Sequence, residues 1–187
     1  TNEAFDDSRK SLAAEFEFNG EKVVVVANHF NSKGGDDGLF GANQPVVLGS
    51  EVQRLKQAEV INDFVEKVEE RMDHSNVVVL GDLNDFEFSA PVETLKGDDL
   101  TNMMEKLPEE ERYTYIYQGN SQVLDHILVS NHLAKRTKVE TVNINADFSE
   151  ADGRASDHDP VLAQIHLKKS KQGPPAWAKK DKKHKHH

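Results

Sequence analysis

The segment "VVVLGDLNDF", residues 77–86, runs four apolar residues into a glycine and then sets Asp82 and Asn84 two positions apart. His29 follows the apolar run Val23 to Ala27, Asp125 lies early in "VLDHILV" (123–129), and Asp157 and His158 stand just before Val161. Carboxylates hold cations, an uncharged amide donates to anionic oxygens, and imidazoles exchange protons near neutral pH. Alone, each residue has an ordinary explanation. His29 reads as a hydrogen-bonded histidine, Asn84-Asp85 as a turn, and Asp157-His158-Asp159-Pro160 as the start of a loop. What they share is placement at the end of an apolar run, where a rigid scaffold presents reactive groups.

The elements that must position them are legible as patterns. "SLAAEFEFNGEKVVVVANHF" is a hairpin, an alternating run to Phe18, an Asn19-Gly20 turn and the run Val23 to Val26. "NSKGGDDGLFGANQP" is a polar, Gly-rich loop. A helix then opens at Ser50, which forms a capping box with Gln53, and Val52, Leu55, Ala58, Ile61, Val65, Val68 and Met72 recur at helical spacing. After the 77–80 strand, residues 89–107 read as one or two short helices. "YTYIY" (113–117), "VLDHILV", "KVETVNI" (138–144) and "VLAQIHL" (161–167) are β-rich runs. The order describes a mixed α/β domain with much antiparallel pairing.

With 187 residues the chain suffices for one domain with a real core. It has no apolar stretch of about 18 to 20 residues, so no membrane span is expected. Cysteine is absent, which removes thiol chemistry, and "TNEAFDDSRK" has no targeting signal. Charge divides the chain in two. Residues 1–167 hold 15 Lys and Arg against 32 Asp and Glu, a net of −17, whereas residues 168–187 hold eight Lys against Asp181, a net of +7. The body therefore repels polyanions at long range, and the Lys- and Pro-containing tail reads as a disordered basic end.

"NHF", "GDLN", "LDHI" and "SDHDP" occur in this order, and the set resembles the endonuclease/exonuclease/phosphatase family. "NHFNSKGGDDG", then "QP" and a helix with "RLKQAEVINDFV", is similar to the family's secreted bacterial nucleases. The resemblance implies a DNase I-like β-sandwich flanked by helices in four α/β/β/α layers, over residues 1–167. It also implies phosphodiester hydrolysis with a divalent cation, Mg²⁺ or Mn²⁺ with Ca²⁺ as a further option, and a secreted enzyme acting on DNA or RNA with no membrane partner. Asp82 and Asp157 match metal-site positions. His158 would accept a proton or steady the phosphoryl group, and Asp125 would orient its ring and favour the imidazolium. Asn84 would sit beside the attacking water or a phosphoryl oxygen, and His29 would donate to another phosphoryl oxygen and assist the leaving group. The choice of base between Asp82 and His158 stays open. Lys33 and Arg54 are better read as a solvated lysine and a helix-surface arginine than as phosphate contacts.

Two other functions compete with the nuclease reading: a phospholipid or inositol-phosphate phosphodiesterase of the same family, which an exposed apolar hairpin would favour although the sequence shows none, and a non-catalytic half-domain. The family's usual upstream asparagine and glutamate, both linked to metal, have no match in the 28 residues before His29. The chain is thus expected to be the C-terminal part of the domain, incomplete on its N-terminal side and partnered by the missing part. It should bind Mg²⁺ poorly, be weakly active or inactive, and leave strand faces such as Val23–Val26 and Val77–Leu80 uncovered.

Overall fold

The computed structural model describes residues 3–38, 41–72 and 75–167. The basic tail lies outside the described residues. The alternating run and the valine run form β1 (Leu12–Phe18) and β2 (Glu21–His29), an antiparallel hairpin turning at Asn19-Gly20. After a loop comes α1 (Gly49–Arg71), then β3 (Asn76–Asp82) parallel to β2, as a helical crossover requires. The rest of the chain gives α2 (Ala90–Lys96), β4 (Leu100–Asn102), the hairpin β5 (Tyr115–Tyr117) and β6 (Asn120–Gln122), β7 (Asp125–Ser130), α3 (Asn131–Ala134), and the pair β8 (Thr137–Thr141) and β9 (Val161–Ile165). The main sheet has the order β1-β2-β3-β7-β4.

Alternation along the strands divides the core. Val24, Val26, Val77, Val79 and Leu128 face the helices and pack with Ala58, Ile61 and Val65 of α1 and Val92 and Leu95 of α2. Val78, Ile127 and Val129 face the other way, against Val139, Val161, Ala163 and Ile165 of the β8–β9 pair. Helices, the five-stranded sheet and a smaller sheet therefore stack as an outer and two inner layers of a DNase I-like sandwich.

Four expectations need correction. Val77, Val78 and Val79 are buried, not uncovered, because helices cover one face of β3 and β8–β9 approach the other. The apolar surface left open lies on β1 instead, where Leu12, Phe16 and Phe18 are exposed on the face that carries Val23 and Val25. The hairpin thus does present apolar side chains to solvent. No capping box forms at α1 either. Leu48 is the N-cap, Gln53 Nε2 donates to the carbonyls of Ala4 and Asp6, and the Asp36 carboxylate accepts from Ser50 N at 2.8 Å and Ser50 Oγ at 2.5 Å. An acidic group from the preceding loop thus meets the positive end of the helix. Finally, Val52 is exposed and the first two turns bury Ser50, Arg54 and Gln57 instead, for a reason that emerges at the site.

Candidate active site

The parallel pairing of β2 with β3 and the antiparallel pairing of β3 with β7 bring three strand ends to one edge. In register, His29 pairs with Asp82 and Asp82 with Asp125, so three of the expected residues form one row across the sheet. Side chains paired this way stand about 5 Å apart on the same face. Gly81 lets β2 and β3 close up at this level. Its φ is +127°, and a Cβ there would overlap the Asn28 carbonyl oxygen.

His158 joins the row from the far side of the chain. Its backbone bridges to Tyr115, its ring lies 4.7 Å from the Tyr115 ring between centroids, and its Nδ1 bonds Asp125 Oδ2 at 2.6 Å. The Asp125 carboxylate raises the histidine's pKa against the opposing effect of burial, with Asp82 and Asp157 adding to it, so the imidazolium is favoured. Asp82 is also raised, first by burial and further by Asp125, although the Asn84 N–H, His158 and His29 oppose the shift. His29 Nε2 lies 3.5 Å from Asp82 Oδ2.

Asn84 departs from the extended geometry that its two-residue spacing from Asp82 suggests. Its φ of +52° is left-handed, Leu83 between them is buried, its N–H donates to Asp82 Oδ1 at 2.8 Å, and its Nδ2 donates to the Phe30 carbonyl at 3.0 Å. The amide therefore ties the β3 end to the β2 end. Asp157 is exposed beside His158 and lies outside the group formed by Asp82, Asp125 and His158, whose ligand atoms fall within 4.8 Å of one another.

Two carboxylates this close, one with a raised pKa, suit a divalent cation, which would relieve their repulsion. Oxygen donors suit hard divalent cations such as Mg²⁺, Mn²⁺ and Ca²⁺.

Behind the row lies a polar network that the residue pattern did not reveal. Arg54 is fully buried, not on the helix surface. Its Nε donates to Asp85 Oδ2 at 2.8 Å and its NH1 to Ser50 Oγ at 2.6 Å. Lys33 Nζ bonds Asp85 Oδ1 at 2.6 Å and sits 4.4 Å from the centre of the Phe86 ring. Gln57 Oε1 accepts from Asn31 N, which pins the chain just past His29. These contacts explain the polar first turns of α1, because that end of the helix holds the loops of the site. Burial lowers the pKa of His126, and the ring is placed between the Asp85 carbonyl (2.8 Å from Nε2) and Asn102 Nδ2 (3.1 Å from Nδ1), which suits the neutral Nε2–H tautomer. Asp159 is buried next to His158, and its Oδ1 accepts from the N–H groups of Ile144, Asn145 and Ala146 at 3.0, 2.7 and 3.0 Å. Asn145 Nδ2 in turn donates to the His158 carbonyl at 2.8 Å.

This architecture recurs in solved structures. A humanized zebrafish (D. rerio) TDP2 superposes with a TM-score of 0.57 at 20% identity over 84% of this chain and 60% of that one. A truncated Caenorhabditis elegans TDP2 gives 0.60 at 17% identity over 83% and 59%, and beta toxin from Staphylococcus aureus gives 0.56 at 21% identity over 85% and 58%. The chain thus spans 58–60% of the length of these structures. No curated protein matches it by sequence. The profile of the endonuclease/exonuclease/phosphatase family matches residues 1–160, and the chain belongs to that family.

Proposed function

We propose that this chain carries the reacting groups of a divalent-metal-dependent phosphodiesterase, a secreted endonuclease acting on nucleic acid. The observation that carries the reading is the in-register row His29, Asp82 and Asp125 with His158 clamped onto its end. Asp82, made more basic by burial, orients the attacking water and takes its proton. His158, kept cationic by Asp125, donates to a non-bridging phosphoryl oxygen as a new P–O bond forms. His29 donates to the leaving oxygen as the old P–O bond breaks, and Asn84 holds Asp82 and the Phe30 carbonyl in place. Asp157, which lies outside the Asp82–Asp125–His158 cluster, would hold the cation beside Asp82, and the cation would supply charge neutralisation at the phosphoryl oxygens.

Nucleic acid is favoured as substrate because a structurally similar zebrafish TDP2, 20% identical with a TM-score of 0.54, is complexed with a single-strand DNA product. A lipid phosphodiester is the second reading, supported by the exposed Leu12, Phe16 and Phe18 of β1. Glu15 and Glu17 on the same strand weigh against anionic membranes. Parallel incubation of the purified chain with plasmid, RNA and sphingomyelin, with and without Mg²⁺, separates the two. Weak nucleic-acid cleavage that EDTA and His158→Ala abolish is expected. Nucleic-acid cleavage that survives both refutes the proposal, metal-dependent cleavage of sphingomyelin alone supports the lipid reading, and no cleavage of any substrate leaves a non-catalytic half-domain.

A further inference from the structure

Two stacked aromatic pairs leave the catalytic row from different members. Tyr115, whose ring lies against His158, stacks on Tyr117 with centroids 6.4 Å apart and planes 13° apart, and Tyr117 is 52% exposed at the end of β5. Phe86, two residues beyond Asn84 and carrying Lys33 over its ring, stacks on Phe88 at 5.4 Å and 21°, and Phe88 is 74% exposed. In each pair an inner ring held at the site backs an outer ring open to solvent. Exposed Phe and Tyr faces cost solubility, and packing within the fold does not use them.

We propose that Tyr117 and Phe88 are base-stacking platforms on either side of the scissile phosphate, which makes unpaired nucleotides the preferred substrate of this site. The inference rests on the phosphodiesterase reading and deepens it. Charge favours this occupant. A body of net −17 cannot gather a polyanion through a broad basic face, so whatever the +7 tail adds from outside the site, affinity at the site itself is best supplied by contacts indifferent to charge, and every base offers a π face. Bases locked in a duplex are stacked on each other and cannot lie on the two rings, whereas a single strand can splay its bases onto them. Lys33 is the nearby cation suited to the intervening phosphate, although it is shared with Asp85.

Fluorescence anisotropy of the full chain in EDTA tests this apart from hydrolysis, with a labelled oligothymidylate, a blunt duplex of equal length and, by co-sedimentation, phosphatidylcholine–sphingomyelin vesicles. Tighter binding of the single strand than of the duplex is expected, about tenfold weaker in Tyr117→Ala and in Phe88→Ala and retained in Tyr117→Phe. Circular dichroism confirms that each variant is folded, and a further pair, Tyr117→Trp and Phe88→Trp, should bind at least as well as the unaltered chain. Equal binding by all variants, preference for the duplex, no oligonucleotide binding, or vesicle binding that alone depends on the two rings overturns the proposal. Intact binding with no hydrolysis on adding Mg²⁺ would instead strike the phosphodiesterase reading and leave the platforms standing.

Discussion

Removing Asp85 should destabilise the protein far more than removing its buried partner Arg54. In Asp85→Ala the guanidinium remains fully buried, keeps hydrogen bonds only to Ser50 Oγ and the Asn31 carbonyl, and has its next carboxylate, Asp36, at 3.8 Å. An uncompensated buried cation of this kind costs about 3–5 kcal/mol. In Arg54→Met the thioether chain refills much of the space, and Asp85 keeps Lys33 at 2.6 Å and the Phe86 N–H at 3.1 Å. Lys33 is 31% exposed, so the buried Asp85 carboxylate keeps a partly solvated cation as its partner. Asp36 likewise keeps both bonds to Ser50. The cost should then be about 1–2 kcal/mol, the value of the hydrogen bonds lost. Urea denaturation followed by circular dichroism measures both, with an expected gap of about 2 kcal/mol between the variants. Equal costs, or a larger cost for Arg54→Met, would show that Lys33 does not hold Asp85 and that the network is mis-assigned.

Other consequences follow from single contacts. Gly81→Ala should cost about 3 kcal/mol or more in the same denaturation assay, because the φ of +127° and the Asn28 carbonyl both exclude a Cβ, and a cost under about 1 kcal/mol would refute the close approach of β2 and β3. Asp159→Ala strips the acceptor from three N–H groups and should cost about 2–4 kcal/mol, and it should also weaken the low-field imidazole proton signal of the His158–Asp125 bond, whereas an unchanged signal would mean that the 144–146 segment does not position His158. His126 has a depressed folded-state pKa, so the unfolded chain binds its proton first on acidification. Stability from this group is therefore full above the unfolded pKa of about 6.5 and falls by about 1.4 kcal/mol for each pH unit below it until the folded pKa is reached. That slope in the urea midpoint should shrink in His126→Asn, and an identical slope would show that other groups set it.

The hairpin and the strand ends were readable because alternation and apolar runs are local signals, and those same runs fixed where His29, Asp82 and Asp125 emerge. Their assembly into one row depends on pairing His29 with Asp82, 53 positions further along the chain, for which only the order of the four motifs gave a clue. Arg54 looked like a helix-surface residue, and Asp85 like part of a turn, because a polar residue declares itself buried only through partners distant in sequence. A helix whose first turns bury polar groups in place of Val52 was nevertheless a signal available in "SEVQRLKQ". The short strands β4 and β6, "LTN" and "NSQ", carry too few residues for a period to show. The left-handed backbone of Asn84 was not legible because spacing says nothing of handedness, although Asn is among the few residues that tolerate φ above zero.

The central claim is that Asp82 and Asp157, beside the Asp125–His158 pair, are where a divalent cation meets this chain. The most direct test titrates Mn²⁺ into the isotope-labelled protein and follows paramagnetic broadening of the amide signals. Broadening centred on residues 82–84, 125 and 157–158, reversed by excess Mg²⁺ and lost in Asp82→Asn, is the predicted result. Broadening spread across the acidic surface while those signals stay sharp would contradict the account.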